Sequence, residues 1–216
     1  MIDAEFIAPG AEEAFLVDRY VLLKMPESRE VLRDRFIPDG HAGIVFHFSG
    51  KFFVVNEGRE TMLPQLFFTV PMKSALIIDV IPPADSMIVV CRASVFSRVF
   101  NVNMATTGKN LFFEFTKHDY LDALHKVHYA FETADRISAF QSAIRQIMRG
   151  TVYNPDKVDL IYQRFMQSKG DEQVSRIADE IGMDQRTLRR WFRKRVGISP
   201  KELTKLVRVH YLWSRL

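Results

Sequence analysis

The 216 residues contain a single cysteine, Cys91, so no intrachain disulfide can form, as fits a reducing compartment. No apolar run approaches the ~18 residues that a bilayer-crossing helix needs. The N-terminus, MIDAEF, carries acids where a secretory signal requires basic residues. These absences predict a soluble, cytoplasmic protein with no membrane partner. Internal repeats and low-complexity segments are missing too. Otherwise the composition is that of a folded chain, 47% hydrophobic and 26% charged. The length allows one or two domains of ~150 residues.

Catalytic patterns are equally scarce. No nucleophile–base pair stands out. Thr106-Thr107-Gly108-Lys109 faintly echoes a phosphate loop but lacks its first glycine and its strand-to-helix setting. His41 and His47 lie in or beside one candidate strand and would face the same side of it. No later cluster of His, Asp or Glu completes three metal ligands, and His47 on an apolar strand reads as a core histidine. His118, His125 and His128 sit among Asp119, Asp122 and Lys126 and read as solvated surface. The expectation is therefore no enzyme, no catalytic residue, no metal and no cofactor. The rival reading is a metal-dependent enzyme, which stoichiometric metal on the purified protein would revive.

Acid is also missing from one stretch, Arg186 to Arg195, and the chain's charge is uneven around it. From Asp171 onward eleven basic residues face six acids, whereas the first 170 residues carry nineteen and twenty. The net charge of +4 thus arises wholly in the C-terminal quarter, the footprint of a polyanion partner. Val174, Ile177, Ala178 and Ile181 recur at helical spacing, and Gly182 closes that helix. Asp184 caps a second helix. Leu188, Trp191, Phe192 and Val196 form its core side, while Arg186, Arg189, Arg190 and Arg193 form a stripe flanked by Lys194. Like charges at this spacing repel, so a single-sign stripe calls for an anion. Helix, glycine turn and capped basic helix is the helix-turn-helix arrangement, whose second helix reads the major groove of double-stranded DNA. Arginine suits that task through bidentate pairing with guanine.

The rest of the chain divides by period. Residues 1–93 read mainly as β, within a β domain taken to extend over 1–116, with strands expected at 15–23, 42–48, 51–56, 65–70, 74–81 and 86–92. Asp39-Gly40, Ser49-Gly50, Glu57-Gly58, Pro71 and Pro82-Pro83 supply the turns. Short, regularly spaced strands predict an antiparallel sandwich or barrel. A short helix is expected around VFSRVF and a loop at residues 106–109. Residues 117–169 form a helical layer, a possible dimerisation surface, with helices near 118–132, 134–149 and 155–169. In the second of these Ile137, Phe140, Ile144 and Ile147 make the apolar stripe, and Gly150 stops it. Residues 170–216 are the basic module, with Lys169-Gly170 as the boundary. Ser199-Pro200-Lys201-Glu202 is a capping box with proline at the first helical position. No glycine or proline stops that helix before Leu216. Leu203, Leu206, Val207 and His210 make one of its faces, and Val209, Leu212 and Leu216 another. Such a helix reads as a connector to a further element, or as a terminal helix docked on the β domain.

The spacing of Ile177-Ala178, Gly182, Leu188, Arg190, Phe192, Gly197 and Pro200 resembles the first helix-turn-helix of AraC-type transcriptional regulators. Asp184 stands where that family usually has serine, and still caps. The segment RFIPDGHAGIVFHFSG is similar, more loosely, to the cupin-like domain of one branch of the family. The resemblance implies an α+β chain: a cupin-like antiparallel β domain, a helical layer, then an all-α helix-turn-helix module. It implies a sequence-specific, DNA-binding transcriptional regulator whose N-terminal domain dimerises and senses a small-molecule effector. Family members join two such motifs by a long helix. Residues from Pro200 match that linker, the second motif is absent, and a truncated chain is expected. Carried over by position, Arg186, Arg189 and Arg190 face base edges, with Gln185 and Thr187 at the helix entrance. Arg193, Lys194 and Lys201 meet phosphates. Trp191-Phe192 beside basic residues also resembles a homeodomain recognition helix. That family's adenine-reading asparagine is missing and Gly197 to Pro200 cut the helix short, which rules the homeodomain out. The remaining alternative is an assembly or effector-binding protein whose basic helix binds RNA or nothing.

Overall fold

The computed structural model describes residues 3–28, 30–56, 58–105 and 112–215. The expected loop at 106–109, Glu57 of one expected turn and the terminal Leu216 lie outside these. Seven strands form one antiparallel sheet: β1 (Asp3–Ile7), β2 (Val17–Met25), β3 (Leu32–Phe36), β4 (Ala42–Asn56), β5 (Arg59–Met62), β6 (Leu66–Thr69) and β7 (Leu76–Cys91). The path β1-β2-β7-β4-β5 runs across it, with β3 also on β7 and β6 also on β4.

Four of the expected strands prove to be halves of two. Strand β4 runs straight through Ser49-Gly50, and β7 through Pro82-Pro83. In register, Ser49 faces Asp85 and Lys51 faces Ile81, so the glycine lies opposite the two prolines. Gly50 has φ +84°, and a Cβ there would sit 2.7 Å from Ala84 Cβ and 2.8 Å from the Pro83 carbonyl oxygen. Both turn signals therefore belong to one bend, where a bulge leaves backbone unpaired and proline's missing N–H costs nothing. Before the bend β4 pairs with β6, and beyond it with β5. The complementary halves of β7 pair with β2 and β3. The sheet thus folds over on itself.

Alternation then decides which side chains go where. Tyr20, Leu22, Ile44, Phe46, Met87 and Val89 face the helices and are almost fully buried. Their neighbours Val21, Leu23, Val45, His47 and Ile88 face inward, lining a cavity of about 460 Å³ with Phe52, Val54 and Val80 from beyond the bend. Strands β1, β3 and β5 were not expected from sequence. Their residues are almost all exposed, so no apolar periodicity marks them.

Among the described residues, eight helical segments follow: α1 (Ala93–Val99), α2 (His118–His125), a 3-10 turn (Lys126–Tyr129), α3 (Thr133–Met148), α4 (Lys157–Gln167), α5 (Val174–Glu180), α6 (Gln185–Val196) and α7 (Pro200–Trp213). The short helix around VFSRVF and the helices expected near 134–149 and 155–169 are present, whereas the one expected near 118–132 is α-helical only to His125 and continues as the 3-10 turn. Arg149 takes the left-handed conformation that ends α3, one residue ahead of Gly150. From α3, Phe140 meets Tyr20 and Phe46 edge-on at 6.0 and 6.4 Å. Arg136 is buried above the sheet, ion-paired with Asp85 at 2.9 Å and stacked 3.6 Å over Phe48. His128 corrects the surface reading given to it. It is half-buried against Phe46 and Phe48, with Nε2 3.3 Å from the Gln65 carbonyl.

One buried apolar cluster extends from β2 through α1, α3 and α4 to Leu188, Phe192 and Leu203. Helix α4 opens on a capping box formed by Asp156 and Asp159. Its Phe165 meets Phe192 at 5.9 Å, edge to face. Arg164 of α4 holds the next segment by ion pairs to Glu172 at 2.9 Å and Glu180 at 2.7 Å.

Candidate nucleic-acid interface

Helix α5 buries Ile177 and Ala178 completely, with Val174 and Ile181 packed at its edge. Gly182 follows at φ +63°, and the Met183 amide returns to the Ala178 carbonyl at 2.9 Å. The turn is therefore closed by the residue type that adopts this conformation without strain. Asp184 Oδ1 then accepts the Thr187 amide at 2.9 Å, capping α6. The Thr187 side chain first, and then that amide, hold the Asp184 carboxyl below its usual range. At the far end Gly197, φ +89°, donates to the Phe192 and Arg193 carbonyls.

On α6, Leu188, Phe192 and Val196 are fully buried. Trp191, expected in the core, is 38% exposed. It lies ~100° back from Phe192 on the helix, at the rim of the buried face. Arg195 takes the inner position instead, because it falls three residues after Phe192 and seven after Leu188. Its guanidinium meets Asp156 at 2.6 Å, Asp159 at 2.8 Å, the Ser94 carbonyl at 2.7 Å and Ser97 Oγ at 2.9 Å. Its side chain is 16% exposed. Sequence reasoning saw only one more basic residue here. The heptad spacing from Leu188 was the signal that could have separated it from the stripe.

The other cations behave differently. Arg186, Arg189, Arg190, Arg193 and Lys194 are exposed. None has an ion-pair or side-chain hydrogen-bond partner among the described residues. Gln185 is exposed at the start of α6 and Thr187 is half-buried beside the cap. Lys201 is exposed in the first turn of α7, adjoining the capping box in which Ser199 and Glu202 bond reciprocally. The eight sequence-predicted residues thus occupy α6 and the start of α7. An exposed single-sign helix face beside a buried apolar one attracts polyanions and repels itself when unoccupied.

Helix α7 positions this module on the sheet. Leu203 and Val207 are buried and close against Gly40, φ +91°, where a Cβ would lie 2.6 Å from Leu203 Cδ1. Lys73 adds an ion pair to Glu202 at 2.7 Å. This face is docked, as one of the two sequence readings had it, while Val209 and Leu212 remain exposed. The helix ends at Trp213, earlier than the lack of a stop signal implied. Ser214 Oγ bonds back to the Tyr211 carbonyl at 3.0 Å, the local competition by which serine ends a helix.

Beside Gly40 lies a charged cluster from β2 and the segment entering β4. Arg19 bridges Asp18 at 2.7 Å and Asp39 at 2.6 Å, and His41 Nδ1 sits 3.0 Å from Asp39. The His41–His47 pair does line one cavity, as the strand period required. Among the described residues, no group of three or more His, Cys, Asp or Glu forms a metal site. Burial alone would depress His41, but Asp39 and Asp18 outweigh it and raise its pKa to about 9. A raised histidine stabilises the fold fully below its unfolded value near 6.5 and loses that contribution as pH climbs through about 9. The urea midpoint should therefore drop between pH 6.5 and 9 by an amount equivalent to roughly 2 kcal/mol. His41→Gln should flatten that profile, and an equally steep fall in the variant would refute the assignment.

No family model matches the sequence, and no curated protein matches it. Among solved structures, the chain is similar to ToxT from Vibrio cholerae, with TM-score 0.45 at 11% identity, covering 91% of this chain and 82% of that one. Unsaturated fatty acid-bound ToxT gives 0.41 at 14% identity, covering 88% and 83%. The AraC-like transcriptional activator CuxR gives 0.38 at 13% identity, covering 99% of this chain and 95% of that one.

Proposed function

We propose that this chain is a sequence-specific, DNA-binding transcriptional regulator of the AraC type. Its parts are a cupin-like β domain at 1–116, a helical layer at 117–169 and a helix-turn-helix with linker helix at 170–216. The observation that carries the reading is the face of α6. Arg186, Arg189, Arg190 and Arg193 are exposed and have no ion-pair partner among the described residues, although ion pairs are common elsewhere in the chain. Arg186, Arg189 and Arg190 read base edges, with Gln185 and Thr187 at the helix entrance. Arg193, Lys194 and Lys201 hold phosphates. The β domain binds a small-molecule effector, and the chain acts as a homodimer presenting two recognition helices.

Selection from randomised duplexes at two salt concentrations tests this, run beside a variant with Arg186, Arg189 and Arg190 changed to Ala. One enriched motif, lost in the variant, is the expected result. Each bidentate base contact should contribute ~1–3 kcal/mol of discrimination, and phosphate affinity should fall with salt. Absence of retention even at low salt would overturn the reading.

A further inference from the structure

The cavity inside the folded sheet has a chemistry of its own. Pairing register orders its wall into layers: Arg19, Val90 and Gly43, then Val21, Ile88 and Val45, then Leu23, Ser86 and His47. Layers two residues apart are separated by ~6.6 Å. The first is charged, but Arg19 is already engaged with Asp18 and Asp39. The second is hydrocarbon. The third is polar and uncharged.

His47 is 6% exposed, with its ring stacked 3.7 Å from that of Phe52 at an angle of 7°. Phe67 flanks it at 5.5 Å. Nδ1 lies 3.1 Å from Ser86 Oγ, whereas Nε2 is buried with no hydrogen-bond partner among the described residues. Burial first, then the charge of His128, pushes this imidazole down to about 3, so it stays neutral. On the same cavity wall, His210 of α7 also has a buried nitrogen, Nδ1, with no partner among the described residues. Buried polar atoms are normally satisfied, and an unpaired one costs ~1–3 kcal/mol.

We propose that this cavity binds an uncharged, largely apolar molecule bearing a hydroxyl group, of the alkylphenol class, with the hydroxyl on His47 Nε2. The inference rests on the effector-binding part of the proposed function and specifies its ligand. A hydroxyl both donates and accepts, so it satisfies either tautomer of His47. The apolar body of such a molecule lies along Val45, Ile88 and Val54, which line the same cavity. A volume of about 460 Å³ holds on the order of 15 non-hydrogen atoms at ~30 Å³ each. A carboxylate fits less well. Burying it beside a neutral imidazole leaves an ion without a counter-charge, which is costly. The cations on the wall without an ion pair among the described residues, Lys24 and Arg35, are exposed and point to the competing outcome.

Three probes of similar shape separate the cases: 4-butylphenol, butylbenzene and 4-butylbenzoate, titrated calorimetrically into the full chain without DNA. Expected is tightest binding of 4-butylphenol, with butylbenzene at least tenfold weaker. His47→Phe, which keeps the ring on Phe52, should reduce 4-butylphenol to the level of butylbenzene and leave butylbenzene unchanged. Tightest binding of 4-butylbenzoate, lost on changing Lys24 and Arg35 to Gln, would overturn the proposal, as would no binding of any probe. Should His47→Phe fail to fold, the order of the three probes on the unaltered chain decides alone. Failure of the DNA-reading proposal would appear separately, in the duplex selection.

Discussion

Gly170→Ala is expected to destabilise the protein by about 3–5 kcal/mol, far more than an exposed substitution. Two costs add. The backbone at Gly170 has φ +80°, which a Cβ makes unfavourable by ~1 kcal/mol or more. The added carbon would also lie 2.3 Å from the Thr204 carbonyl oxygen and 3.1 Å from the Arg208 amide nitrogen. Both are backbone atoms of α7, so no side chain can swing aside and the helix itself must move. Arg208 donates to the Gly170 carbonyl at 2.8 Å, a contact that the same movement breaks. Gly182 provides the control. Its φ is +63° and nothing lies within 4 Å of a Cβ there, so Gly182→Ala should cost only the backbone term of ~1 kcal/mol. Urea unfolding of both variants measures the difference. Equal losses would show that the approach of α7 to this turn is not tight in solution.

What could be read from sequence follows from how local each signal is. The cap at Asp184, the capping box at Ser199 and Glu202 and the stop at Gly197 each depend on residues within one helical turn, and all are present. The arginine stripe was legible for the same reason, since helical spacing alone sets which residues share a face. Ser49-Gly50 and Pro82-Pro83 were legible as chain-bending residues but not as partners in one bend. Nothing local says that two such pairs lie opposite each other in β4 and β7. Strand β3, LRDRF, is almost wholly exposed and is held to β7 by its backbone ladder and by Arg33 on the facing Asp79 at 2.7 Å, so no apolar alternation marks it. The cavity is the least local feature. Its polar point joins His47 to Ser86 across 39 positions, and its wall includes His210 from the other end of the chain.

Two arginines two positions apart on α6 should separate stability from DNA affinity. Arg195→Met is expected to cost about 3 kcal/mol of stability, because it leaves Asp159, 5% exposed, with one fewer cation in a dry site. The loss stays near the lower end of that class. Arg98 still reaches Asp159 at 3.0 Å, and Asp156 is half-exposed and screened by water. Arg193→Met should change stability by no more than ~0.5 kcal/mol, since it removes an exposed charge from a self-repelling stripe, yet it should weaken duplex binding. Adding Asp159→Asn to Arg195→Met should recover part of the first loss, because the stranded carboxylate is then neutral. If the double variant were simply the sum of two losses, the carboxylate would not be the source of the cost. If Arg195→Met left urea stability intact but weakened DNA binding as Arg193→Met does, Arg195 would belong to the DNA face. The contacts to Asp156, Asp159 and Ser94 place it instead as the link that fixes α6 against α1 and α4, so that the stripe on its outer side is presented at one angle.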